Sequence, residues 1–158
     1  MSIINKIRAY LQENDVTPIL ELHHEPTKTS EESARTRGEE LKIGGKALLI
    51  KVDSEFRLFV LSANRKLNNK AIKSQFSATK MRFATPAELL ELTGLVPGCV
   101  PPFGQPILPF PLYVDPSILN NARVAFNAGS LTDSMVLDIE DYKRIMNASG
   151  IFVFSAEG

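Results

Sequence analysis

Two β-rich runs, KALLIKV at 46–52 and FRLFVLS at 56–62, are parted only by the turn-like DSE. Branched and aromatic side chains suit a pleated, half-buried surface, and so short a connection makes the pair an antiparallel hairpin. The rest of the chain has to pack around it. VTPILELHH (16–24) alternates like a strand, and TKMRFA (79–84), ILPFPLYVD (107–115), ARVAFNAG (122–129), SMVLDI (134–139) and IFVFS (151–155) read as further extended segments. Helical signals lie between them. Ile3, Ile4, Ile7 and Leu11 share one face of a first helix that stops near Asn14 and Asp15, and Thr29 with Glu32 has capping-box spacing. NRKLNNKAIKSQF (64–76) reads as an amphipathic helix. In TPAELLELTG the signals agree: Thr85 as N-cap, Pro86 at the first helical position, Glu88 closing the box and Gly94 at the end. DIEDYKRIMNA (138–148) puts acids at its start and Lys143 and Arg144 further along, as the helix dipole favours. Roughly seven strands and four or five helices in mixed order predict an α+β fold. The expectation is a single domain over 1–158, with a curved, mainly antiparallel mixed sheet and surrounding helices.

Charge narrows the function. Eighteen basic and eighteen acidic side chains cancel, with a pI near 6.7, whereas dedicated nucleic-acid binders are far more basic. Any nucleic-acid partner must be held by a local patch or through a few nucleotides. A single cysteine, Cys99, leaves no internal disulfide or cysteine-based zinc cluster, which fits a reducing compartment. With no signal peptide and no long apolar run, the expectation is a cytoplasmic protein without membrane contact.

The familiar catalytic sets are missing: no Walker loop, no G-x-G-x-x-G and no H-E-x-x-H. His23 and His24 are adjacent on a predicted strand, so alternation points them to opposite faces and away from a shared metal. No pattern names a base for Cys99, which reads as a small apolar residue. Lys46 follows Gly44 and Gly45 at the mouth of its strand, where it reads either as a solvated strand end or as an ammonium presented to a phosphate or carboxylate. Residues 62–82 carry Arg65, Lys66, Lys70, Lys73, Lys80 and Arg82 with no acid, either an ordinary solvated face or a site for polyphosphate. The polar stretch 28–40 mixes both signs and reads as an exposed helix. GLVPGCVPPFGQP (94–106) packs three glycines and four prolines into one loop. Such a loop is held in one shape, for packing or for pointing N–H groups at a ligand.

HEPTKTSEESARTRG, IGGKALLIKV, GLVPGCVPPFG, LYVDPSI and VAFNAG, in this order and spacing, resemble the YbaK/prolyl-tRNA-synthetase-associated domain family from about His24 to Tyr142. The resemblance implies a free-standing deacylase that hydrolyses, in trans, the ester of a small mischarged amino acid (alanine, cysteine, serine or threonine) on tRNA. It implies that Lys46 holds the phosphate and ribose of the terminal adenosine. It further implies that backbone N–H groups of the loop, at Gly98, Cys99, Val100, Phe103 and Gly104, stabilise the oxyanion formed by attack of water. Asn127, Ala128 and Gly129 match the family's pocket floor, and Thr29, Ser30 and Glu31 match the other segment beside the site. Alanine-specific members often carry a histidine where this chain has Phe126-Asn127-Ala128, while polar residues at 29–31 suit a hydroxylated amino acid. Arg65, Lys66, Lys70 and Lys73 are the expected tRNA contacts. No cofactor and no metal are expected. The expected partners are the acceptor end of aminoacyl-tRNA, held transiently, and a synthetase, with no DNA, for a monomer or weak homodimer. The alternative is an inactive tRNA- or oligonucleotide-binding or synthetase-regulating module of the same fold. A protein-interaction domain would leave the basic segment 62–82 without a purpose.

Overall fold

The computed structural model describes residues 2–27 and 29–158; Met1 and Lys28, within the N-terminal and 28–40 segments read above, lie outside the described residues. In chain order the elements are α1 (Ile3–Glu13), β1 (Leu20–His23), α2 (Ser30–Arg37), a 3-10 turn (Leu41–Ile43), β2 (Gly45–Val52), β3 (Glu55–Ser62), β4 (Arg65–Leu67), α3 (Asn69–Gln75), β5 (Met81–Phe83) and α4 (Pro86–Thr93). After the glycine/proline loop follow β6 (Leu112–Val114), α5 (Pro116–Leu119), β7 (Arg123–Asn127), β8 (Asp133–Asp138), α6 (Ile139–Ile145), β9 (Gly150–Ile151) and β10 (Ser155–Glu157).

The expected hairpin is the centre of the molecule. β2 and β3 pair antiparallel from Gly45↔Ser62 to Val52↔Glu55 within a mixed sheet of order β5-β2-β3-β6-β9, in which β3–β6 and β6–β9 are parallel. Both faces of this hairpin are covered, which explains its nearly unbroken apolar runs. Leu49, Leu58 and Val60 face the larger core with Phe103, Leu112, Phe126 and Tyr142. Ile50, Val52, Phe59 and Leu61 face a second core closed by Ile72 and Phe154. A second, antiparallel sheet runs β1-β8-β7, and a bridge between Gly44 and Ala125 ties it to the start of β2. The α+β architecture and the mixed, mainly antiparallel sheet agree with the sequence reading.

Three segments differ from it. Residues 64–76 are not one helix: Arg65–Leu67 pair with β10, and α3 starts only after Asn68, whose side chain caps Ala71 N at 3.2 Å. In ILPFPLYVD only the last three strand residues pair, because Pro109 and Pro111 have no N–H, and the amides of Ile107 and Leu108 turn back to Gly104 O. IFVFS splits between β9 and β10. Between them buried Asp115 takes the amides of Phe154 (2.7 Å) and Ser155 (2.9 Å) and pulls the chain out of one sheet into another. Short pairings of this kind raise the strand count among the described residues to ten.

Candidate active site

Where the start of β2 meets the end of β7, the bridge at Gly44 and Ala125 leaves an opening that α2 and residues 98–100 complete. The result is a cavity of about 210 Å³. α2 is set by its ends: Thr29 Oγ1 accepts from Glu32 N at 3.1 Å, and Gly38 closes the helix at φ 71°. Ser30, Ser33, Ala34 and Arg37 then fall at i, i+3, i+4 and i+7, a single helix face, and that face lines the cavity. The stretch 28–40 was therefore misread as simply exposed, because its inward face is polar rather than apolar. Thr27 Oγ1 and Ser33 Oγ, both buried, lie 2.8 Å apart.

Arg37 is the most unusual group in this wall. Its Nη2 donates to Asn127 Oδ1 at 3.1 Å, and its Nε is buried without a partner. Burial pushes its pKa down to about 10, with Glu39 opposing, so it stays cationic at neutral pH. Asn127 is itself oriented: Nδ2 donates to Gly98 O at 2.8 Å, and Oδ1 also accepts from buried Ser134 Oγ at 3.3 Å, behind which stands His24 Nε2. Lys46 enters from β2, half-buried, with Nζ donating to Arg65 O at 3.1 Å. Burial lowers its pKa and nearby Glu31 partly restores it.

The glycine/proline loop is pinned by three carbonyls. Gly98 O accepts from Asn127, Cys99 O from Gly129 N at 3.1 Å, and Pro102 O from Tyr142 Oη at 2.7 Å. Gly98 adopts φ 91°, a conformation that glycine reaches without strain. The amides of Cys99 and Phe103 bond within the loop, to Val96 O and Pro101 O. Those of Gly98 and Val100 make no hydrogen bond to a described residue, and both residues line the cavity.

The structure divides the sequence-derived candidates. Lys46, Gly98, Val100, Thr29, Ser30 and Asn127 surround the one cavity. Cys99 is buried in the core, its thiol pKa pushed up by burial against the Val96 contact. Phe103 is also core, edge-on to Tyr10, Phe126 and Tyr142. Gly104 sits where a Cβ would come within 2.7 Å of Phe110 O, so it serves a close backbone approach. Ala128 is fully buried, Gly129 packs against Ile3, and Glu31 is exposed on α2. Arg65 lies next to Lys46, whereas Lys66 and Lys70 are exposed on β4 and α3. Lys73 joins Lys51, Lys80 and Arg82 around a separate groove at the far end of β2, about 16 Å along the strand from Lys46. His23 pairs with Asp133 at 2.9 Å and His24 with Ser134 at 2.8 Å. No group of three metal-binding side chains and no helix long and apolar enough to cross a membrane occurs among the described residues. Sequence reasoning missed Thr27, Ser33 and Arg37; the small-residue spacing on α2 was the signal that could have found Ser33 and Arg37.

Comparison with known proteins places the chain in a family. The model of the aminoacyl-tRNA editing domain matches residues 24–145. The chain is 36% identical over 128 residues to the multifunctional Ser/Thr-tRNA deacylase ProXp-y of Escherichia coli strain K12, covering 77% of this chain and 75% of that protein. It is 26% identical to the prolyl-tRNA editing protein ProX of Acetoanaerobium sticklandii, over 82% of each. It also matches a proline–tRNA ligase of Shouchella clausii at 32% identity, over 64% of this chain and 18% of the ligase. The crystal structure of a hypothetical protein superposes with a TM-score of 0.83 at 23% identity, over 96% of this chain and 99% of that one, which shows a shared fold. The chain belongs to the aminoacyl-tRNA editing domain family, and its activity is that of an aminoacyl-tRNA hydrolase.

Proposed function

We propose that the cavity receives the seryl or threonyl ester at the 3′ end of a mischarged tRNA and hydrolyses it in trans. The buried hydroxyl pair of Thr27 and Ser33, with Arg37 and Asn127 beside it, carries this reading. A small cavity lined by hydrogen-bonding groups favours a small side chain with a hydroxyl, which can join the Thr27–Ser33 pair, whereas an alanyl group offers these groups no hydrogen bond. The similar protein from Escherichia coli is named for seryl and threonyl substrates.

Lys46 exchanges its contact with Arg65 O for the phosphate and ribose of the terminal adenosine. A water molecule, steered by the substrate's ribose hydroxyl, adds to the ester carbonyl, and the amides of Gly98 and Val100 hold the oxyanion. The tetrahedral species collapses by breaking the bond to the ribose oxygen. That oxygen takes up the proton the water gives up, and the free amino acid leaves. Cys99, Phe103 and Gly104 hold the loop in shape, and Ala128 and Gly129 hold Asn127. Arg65, Lys66, Lys70 and Lys73 give the tRNA phosphates a few cationic contacts. With no net charge, the chain binds tRNA on the order of micromolar or weaker, with marked salt dependence. A synthetase supplies the mischarged tRNA.

The test is hydrolysis of seryl-, threonyl-, alanyl-, cysteinyl- and prolyl-tRNA by the purified protein and by Lys46→Ala. Seryl and threonyl esters should be cleaved and alanyl at least about tenfold more slowly, with prolyl spared. Lys46→Ala should abolish turnover while leaving the thermal transition in place. Equal cleavage of the alanyl ester would overturn the hydroxyl reading, and inertness toward all five would leave a tRNA-binding module.

A further inference from the structure

A second polar cavity, of about 350 Å³, opens on the other side of the strand ends that carry Lys46, and the proposed reaction in the first cavity leaves it unexplained. Its walls include Lys42, Asn64, Arg65, Asn120, Asn121 and Val153. The two cavities share a partition. Gly45 pairs with Ser62, Gly44 O accepts from Ala63 N at 2.8 Å, and Lys46 Nζ reaches Arg65 O. A chain leaving the phosphate held by Lys46 therefore meets this cavity next. We infer that it is a nucleotide subsite, which takes the nucleotide preceding the terminal adenosine of the tRNA. This inference rests on the reading of the first cavity given above.

The chemistry of the walls supports this occupant. The one acid in the lining, Asp115, is 1% exposed. Its oxygens are already taken by the amides of Ser117, Phe154 and Ser155 and by Ser155 Oγ, all within 2.9 Å. It is a fixed floor, not a competing anion. Arg65 has no carboxylate partner: Nε donates to Ser155 Oγ at 3.0 Å, which holds the guanidinium in the wall. Lys42 is anchored at its carbonyl, which accepts from Ser62 Oγ at 2.6 Å and Asn121 Nδ2 at 3.0 Å. Its ammonium meets only the exposed Glu40 at 3.6 Å, a contact that a phosphate displaces at little cost. Val153, 63% exposed although the chain on both sides of it is fixed, offers an apolar surface for a base face. Asn64 and Asn120, both exposed, line the same cavity. Two cations, an apolar platform and exposed amides are what a single nucleotide of a flexible strand requires.

Two non-hydrolysable analogues, in which a 3′-amide replaces the 3′-ester, test this: 3′-serylamino-3′-deoxyadenosine 5′-monophosphate and the same nucleotide extended at its 5′-phosphate by cytidine. Dissociation constants are measured by calorimetry for the wild type, Lys42→Ala and Val153→Glu, whose side chains are exposed enough to leave folding intact. The wild type should bind the dinucleotide analogue about tenfold more tightly, and each variant should bring that ratio toward one. A wild-type ratio of one, or a ratio unchanged in both variants, overturns the subsite. Because the readout is binding, failure of the wild type to hydrolyse seryl esters would overturn the proposed reaction without deciding this result.

Discussion

Arg37 and Arg57 each bury an Nε that finds no hydrogen-bond partner, and they treat the deficit in opposite ways. Arg57, on β3, spends the rest of its guanidinium inside the protein. Nη1 donates to Tyr113 Oη at 2.8 Å, Nη2 to Glu55 at 2.9 Å, and the plane lies 4.4 Å from the Phe76 ring centre. Stacking on an aromatic face offsets part of the desolvation. Among the described residues Arg37 has no ring against it and one hydrogen-bond partner, Asn127, and it lines the cavity. One buried arginine closes a core and the other lines an opening. An unpaired buried donor costs about 1–3 kcal/mol, so the difference lies in what returns that cost: packing at Arg57 and, in the proposed reaction, substrate at Arg37.

Exchange of the two heads sharpens this contrast most. Arg37→Gln should lower kcat/KM on seryl-tRNA by about 100-fold, the loss of one charge-assisted contact, with the thermal midpoint almost unmoved. A fall in stability with normal turnover would make Arg37 a second Arg57. Arg57→Met should do the reverse. It strands Tyr113 Oη and removes the cation from Phe76, for about 2 kcal/mol of stability, or roughly 4–8 °C in Tm. The folded fraction should retain its kcat/KM, as read from parallel calorimetry and single-turnover assays.

The same division runs through the glycine/proline loop, at a smaller scale. Gly104→Ala places a methyl against Phe110 O and should cost about 1–3 kcal/mol, measured by urea denaturation, through core strain and not through the cavity wall. Gly98, on the other half, borders the cavity.

The hairpin, the α4 capping box and the loop were legible because each depends on neighbours in sequence. Thr85 and Glu88 do exchange their two hydrogen bonds, at 2.9 and 3.1 Å. β4 and β10 were not legible. Their pairing is decided by Asp115, 40 residues from its Ser155 partner, and three-residue strands carry no periodicity. The site was half legible. Lys46 stood out after two glycines, but Arg37 looked like one more charge on a polar helix, since its partner Asn127 lies 90 residues away. A face defined by serine, alanine and arginine has the spacing of a buried face without its hydrophobicity, and a hydrophobic pattern search passes over it.

Lys46 supplies the smallest test, because its charge answers to the exposed carboxylate of Glu31. Burial lowers its pKa below that of an ordinary lysine and Glu31 partly restores it. If the charged form holds the substrate, activity is complete below this pKa and falls as pH rises through it, so the alkaline limb lies below the ordinary lysine range. Burial also lowers the pKa of Arg37, to about 10, and there the opposing carboxylate is Glu39. Glu31→Gln removes the group that raises Lys46 and should move the limb to lower pH. Glu39→Gln should act through Arg37 alone. The rates are taken after subtraction of spontaneous ester hydrolysis. In an Arg37→Gln background the Glu31→Gln shift should persist and the Glu39→Gln shift vanish. Persistence of both would mean that the two cations do not titrate as separate members of one site.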